Sequence, residues 1–169
     1  MFKPFPESYP PYFQKYIDLV PDDELMAGFA NQWPVIKNLL DTISEDKSMY
    51  AYAENKWTLK DLLQHVIDTE RIFCFRALCF ARNERNNIAG FDENAYAASG
   101  TANTRSWQNL SEEFLAVRQA TGLLFKSFSA DALKRMGSAN NIPTSVASIG
   151  YITLGHFYHH KKIIEEKYL

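Results

Sequence analysis

Four stretches of this sequence carry apolar residues at three- and four-residue spacing, and no run alternates apolar with polar residues ahead of a hairpin turn. Spacing of that kind gathers the apolar side chains on one face of a helix. Four such helices joined by polar segments bury their stripes most simply against one another. The pattern therefore predicts an all-α fold, an antiparallel four-helix bundle.

The boundaries follow from local chemistry. Pro21-Asp22-Asp23-Glu24 opens the first helix with acids in its first turn, where the helix dipole favours them. Leu25, Phe29, Val35, Ile36, Leu39, Leu40 and Ile43 carry it to about residue 44, and Pro34 predicts a kink near residues 30–34. Thr58 is the expected N-cap of the second helix. Asp61 stands three residues later, close to a capping box. That helix should run to about residue 83 through Leu59, Leu62, Leu63, Val66, Phe73, Ala77 and Phe80. A third helix is expected from Ser106 to Phe128, and a fourth from Thr144-Ser145 almost to Leu169.

Residues 1–21, rich in proline and aromatics, predict an irregular arm with a short helical turn. Residues 84–104 read as a long loop with one turn of helix at Asp92–Ala98, and Gly137–Pro143 as a second loop. A loop as long as the first is more often functional than idle. No repeat or linker divides the chain, so residues 1–169 read as a single domain.

Composition removes several function classes. Lys and Arg total 18 against 20 Asp and Glu, and the basic pairs Arg82/Arg85 and Lys161/Lys162 are short and flanked by acids. Nothing there makes a stripe for nucleic acid. The start MFKPFPESYPPY has no leader-like apolar run, and no run of about 18 apolar residues occurs to cross a membrane. Cys74 and Cys79, five apart on a helix, point in different directions and are expected to pack as small apolar groups. The cytoplasm is the expected compartment.

The chemistry concentrates in histidine. Of four histidines, three lie in Gly155-His156-Phe157-Tyr158-His159-His160. At about 100° per residue from Ile149, His156 and His160 fall within roughly 20° of the centre of the buried stripe. His159 falls at its edge. Two imidazoles there need partners for their nitrogens, and a metal ion provides one, because neutral imidazole ligates zinc, nickel and iron well. A third ligand is available in His65, at the margin of the second helix's apolar face. Three protein ligands leave an open position for water or substrate, as catalytic sites do. The competing reading is that these are hydrogen-bonded core histidines. Tyr158 and His159 are expected to face outward, toward packing or dimer contacts.

Glu70 falls near the middle of the second helix's stripe, where a carboxylate must be paired or protonated. Two readings stand: an ion pair with Arg118 on the third helix, or a place near the metal as proton acceptor or orienter of a ligating histidine.

Trp57-Thr-Leu-Lys-Asp-Leu-Leu-Gln-His65-Val-Ile-Asp-Thr-Glu70 resembles the second-helix motif of the DinB superfamily, and Gly155-His156-Phe-Tyr-His159-His160-Lys-Lys-Ile-Ile-Glu-Glu-Lys-Tyr168-Leu169 resembles its last helix. Phe91-Asp-Glu-Asn94-Ala-Tyr96 and Glu113-Phe-Leu-Ala-Val-Arg118 are similar to segments of its DinB-like branch, and the likeness runs from about residue 15 to the end. The resemblance implies an up-down-down-up four-helix bundle, often dimeric, with one divalent metal (Zn, Ni or Fe) on His65, His156 and His160. It further implies a thiol-dependent S-transferase using a low-molecular-weight thiol, such as bacillithiol or mycothiol, as co-substrate. Other members are a thiol-using maleylpyruvate isomerase and proteins described as metal-dependent hydrolases.

The leading expectation is thus a cytoplasmic, homodimeric, metal-dependent S-transferase acting on a small electrophile held under the 84–104 loop, with no nucleic-acid or membrane partner. A metal-dependent hydrolase and a non-catalytic metal-binding stress-response bundle are the alternatives.

Overall fold

The computed structural model describes residues 3–169; Met1 and Phe2 of the expected arm lie outside the described residues. The arm consists of two 3₁₀ turns, each started by a proline (Pro6–Ser8 and Pro11–Phe13), and a short helix α1 (Gln14–Ile17). The first long helix, α2 (Leu25–Thr42), begins where the Glu24 carboxylate accepts the Ala27 N–H, and it runs as one helix through Pro34. A one-turn helix α3 (Glu45–Ser48), capped by Ser44, leads into α4 (Leu59–Ala81).

The start of α4 is a complete capping box. Thr58 Oγ1 accepts the Asp61 N–H, and the Asp61 carboxylate accepts the Thr58 N–H. Such a cap stabilises a helix by about 1 kcal/mol. At the other end Asn83 takes a left-handed φ of 61°, a frequent way to stop a helix. Beyond a loop containing α5 (Glu93–Ser99) and a 3₁₀ turn at Ala102–Thr104, Ser106 caps α6 (Trp107–Lys126). The short α7 (Ala130–Lys134) follows. Ser145 then caps the last helix, α8 (Val146–Lys167).

One expectation is overturned. The segment read as a loop at Gly137–Pro143 is an antiparallel hairpin, β1 (Met136–Ala139) paired with β2 (Ile142–Ser145). Asn140 and Asn141 both have positive φ, 53° and 61°, the backbone that two-residue hairpin turns require. Gly137 is obligatory here, because a Cβ at that position would lie 2.0 Å from the Phe80 ring. The 84–104 loop adds to the hairpin through Ile88, whose N–H donates to Ser138 O and whose carbonyl accepts the Asn140 N–H.

Contacts between the long helices set their directions. Leu25 and Gly28 of α2 meet Gly150 and Leu154 of α8, so these two run parallel. The Trp107 indole donates to Leu40 O and Arg118 donates to Gln32, which makes α6 antiparallel to α2. Arg71–Glu113 and Cys74–Thr121 run α4 alongside α6 in the same direction. Tyr168 O–H to Trp57 O, and His65 beside His160, set α8 antiparallel to α4. The order is up-down-down-up.

Two apolar clusters fill the bundle. One gathers Leu25, Phe29, Phe73, Phe80, Phe125 and Tyr151, the other Ile36, Leu59, Ile67, Leu110, Phe114 and Phe157. No helix among the described residues is long and apolar enough to cross a membrane.

Candidate metal centre

His156 and His160 lie one turn apart on α8, and α4 brings His65 to them. His65 Nε2 is 3.2 Å from His156 Nε2, and His160 Nε2 is 3.1 Å from the same atom. All three groups offer ligand atoms within 4.8 Å of one another, and they form the one such set among the described residues. His65 and His156 are buried and His160 is half-buried.

The convergence poses a problem in hydrogen bonding. A neutral ring nitrogen carries either one hydrogen or one lone pair. His156 Nε2 faces two neighbours and can satisfy only one of them well. Protonation offers no escape. Burial pushes the His65 imidazole down to about 4, and burial followed by neighbouring imidazoles pushes His156 and His160 well below the usual histidine range. The rings are therefore neutral at physiological pH, the state that ligates metal.

A metal with M–N distances of about 2.0–2.1 Å in tetrahedral geometry separates neighbouring nitrogens by about 3.3–3.4 Å. The observed 3.1 and 3.2 Å lie within a few tenths of that. The donor set fits a divalent ion of the imidazole-binding kind.

The surroundings hold the rings. Thr69, one turn after His65, places Oγ1 3.4 Å from His65 Nδ1, where it can accept that N–H and leave the Nε2 lone pair facing the cluster. His160 Nδ1 is buried without a partner. Trp57 covers His65 at 4.9 Å between ring centroids, and Phe73 and Tyr16 flank His156 at 6.0 and 5.8 Å.

Tyr16 belongs to the arm, and Gly155 lets the arm come close. A Cβ on Gly155 would lie 2.0 Å from Tyr16 O. Tyr16 also stands edge-on to His159 at 5.2 Å, which corrects the outward placement of that residue and of Tyr158: both are half-buried, Tyr158 against the second apolar cluster. Helical phase put His159 at the edge of the stripe, but the arm that covers this edge is a tertiary contact.

Glu70 and Arg118 form a separate polar centre between the two apolar clusters. Arg118 donates to Glu70 Oε2 at 2.7 Å and to Gln32 Oε1 at 2.6 Å, while Gln32 donates to Leu154 O at 3.0 Å. The guanidinium also lies 5.6–5.9 Å from the rings of Phe29, Phe114 and Phe157. Burial pushes the Glu70 carboxyl up, and Arg118 opposes this. Each long helix contributes one group, and none of these side chains hydrogen-bonds the histidines.

Sequence reasoning missed Trp57, Thr69 and Tyr16 as neighbours of the histidines. It also missed Arg76, which lines a cavity beside Phe73. Two signals were available: Thr69 stands four residues after His65, and Arg76 stands three after Phe73 and four before Phe80, on a helix face that is otherwise apolar.

A bundle with this order of helices and a buried three-histidine cluster defines a class. The chain belongs to the DinB superfamily, whose model matches residues 29–164. Among solved structures it resembles YfiT from Bacillus subtilis, described as a probable metal-dependent hydrolase with an unusual four-helix bundle topology. The likeness has a TM-score of 0.73 at 17% identity, over 98% of this chain and 90% of that one. No curated protein matches the sequence.

Proposed function

We propose that this protein is a metal-dependent enzyme acting on a small molecule, with one divalent ion held by His65, His156 and His160. The observation that carries this reading is the convergence of three Nε2 atoms, two on buried histidines and one on a half-buried one, that cannot satisfy one another. The chemistry such an ion supplies is Lewis acidity, which lowers the pKa of a thiol or water brought to its open position. Thr69 fixes the His65 tautomer. Trp57, Phe73 and Tyr16 pack around the cluster and keep water off the rings they cover. Glu70 and Arg118 hold the helices in register and take no part in the reaction.

Within this reading a low-molecular-weight thiol loses its S–H proton to solvent and its sulfur bonds to an electrophilic carbon as that carbon's leaving group departs. The support is the resemblance of the two histidine-bearing helices to the motifs of the DinB superfamily, a family that includes thiol-dependent transferases. A hydrolase is the second reading, favoured by the likeness to YfiT. Zinc, nickel and iron all suit the three imidazoles, and the habit of the family makes a homodimer the expected state.

Metal analysis of purified protein beside His65→Ala and His156→Ala tests the site. About one ion per chain in wild type and almost none in the variants is expected, while equal contents would exclude these ligands. Loaded protein is then assayed with several thiols against chlorodinitrobenzene and, without thiol, against p-nitrophenyl acetate. Turnover of the first points to the transferase and of the second to the hydrolase. Turnover of neither, in protein that holds its metal, would leave a binding protein.

A further inference from the structure

A cavity of about 230 Å³ lies between α4, the N-terminal arm, the 84–104 loop and the hairpin. Its walls are largely apolar and include Phe73, Phe80, Phe91, Ile149 and Ile152. Ile152 stands one turn before His156 on α8, and the Phe73 ring that lines the cavity also flanks His156. The cavity thus adjoins the histidine cluster through a shared aromatic wall.

One cation lines this apolar space. Arg76 lies on α4 eleven residues beyond His65, about three turns and ~16 Å along the same helix face. Its guanidinium makes one long hydrogen bond, Nη2 to Ala89 O at 3.4 Å, and sits 5.9 Å from the Phe91 ring centroid. Its Nε is buried without a partner. Among the described residues it pairs with no carboxylate: Glu93, the acid that lines the same cavity, is exposed on α5 and forms no ion pair with it. Arg118, by contrast, has both a carboxylate and an amide oxygen. An arginine carries five N–H donors in a fork that matches a carboxylate. Here most of that capacity is unused, at a place where burial already opposes the charge.

We infer that Arg76 and this cavity bind the carboxylate of a small organic acid with an aromatic or apolar body. An apolar cavity of ~150 Å³ is large enough for benzene. A volume of about 230 Å³ therefore takes one ring and a short chain ending in the acid. The Phe73 ring stands between this site and His156, so the acid binds beside the metal centre and not on it. The assignment does not rest on the metal-dependent reading.

The test is an NMR titration of the full chain with 4-phenylbutyrate and with its neutral amide, 4-phenylbutyramide. Wild type should bind the acid at least tenfold more tightly, with amide shifts at residues 73–80, 88–93 and 136–144. Arg76→Gln should bind acid and amide alike, and Arg76→Lys should keep part of the preference. Equal affinity of wild type for the two probes, a preference that survives Arg76→Gln, or shifts confined to other surfaces would overturn the assignment. The comparison within wild type stands even if a variant fails to fold. A chain that holds no metal yet prefers the acid would sink the metal reading and leave this one intact.

Discussion

The two polar clusters, Gln32–Glu70–Arg118 and His65–His156–His160, share helix α4 and obey opposite rules. In the first, donors and acceptors are matched by chemistry: a guanidinium meets a carboxylate and an amide oxygen, and the amide N–H₂ goes on to a backbone carbonyl. In the second, three identical groups face one another, and no assignment of hydrogens satisfies them all. Burying polar atoms is tolerable where they pair and costly where they do not. In the first cluster every contact joins a donor to an acceptor, although Glu70 Oε1 and Arg118 Nε stay unpartnered; in the second the facing nitrogens compete for the same role. Polarity in a core points to a ligand when groups of one kind converge on a single point and offer one another no complementary partner.

The contrast breaks most visibly at Arg118. Arg118→Ala leaves Glu70 buried without its cation, and loss of one partner of a buried pair costs about 3–5 kcal/mol. Urea unfolding should show this loss whether or not metal is present, and the Glu70→Leu/Arg118→Leu double variant should recover part of it. A fall under about 1 kcal/mol for Arg118→Ala would mean that the pair is not what holds this layer.

The histidine cluster should respond to metal instead. An ion at a hundredfold excess over its Kd stabilises the native state by ~2.7 kcal/mol. For a chain of this size that raises the Tm by roughly 5–11 °C. The shift should appear in wild type, vanish on chelation and be absent in His156→Ala. Equal shifts in wild type and variant would move the ion elsewhere.

The arm sets the next effect. A methyl at residue 155 collides with Tyr16 O, and overpacking of this kind costs about 1–3 kcal/mol. Gly155→Ala should therefore lower stability and speed amide exchange in residues 9–20. If exchange there is unchanged, Tyr16 does not depend on this contact. The finest probe is Thr69→Val, which removes the hydroxyl beside His65 Nδ1. Loss of such a partner costs about 10–100-fold in metal affinity. Isothermal titration should show a drop of that size with little change in urea stability, and unchanged affinity would remove Thr69 from the site.

What the chain discloses in advance follows from how local the cause is. The starts of α4, α6 and α8 are legible because Thr58, Ser106 and Ser145 cap their own helices within three residues. His156 and His160 are legible because a helix alone sets their relation. The hairpin is not, since Met136–Ala139 and Ile142–Ser145 are short, contain Gly and Pro, and do not alternate. They are held by pairing with each other and by Ile88, some fifty residues away, and only Asn140-Asn141 betrays them. The contacts of Tyr16 and the cavity at Arg76 require the arm and the loop to fold back onto α4 and α8. No periodicity records that.

The distance along the chain between His65 and His156 has its own consequence. Their nitrogens touch across 91 residues, a span that contains α5, α6, α7 and the hairpin. A chain still being made, or one with α8 undocked, presents at most the pair His156 and His160. A ligand that needs all three rings therefore ignores unfinished molecules, and its binding energy is added entirely to the native state. The cluster works as a lock on completed topology: occupancy by such a ligand would report that the middle of the chain, α4, and its last helix, α8, have found each other.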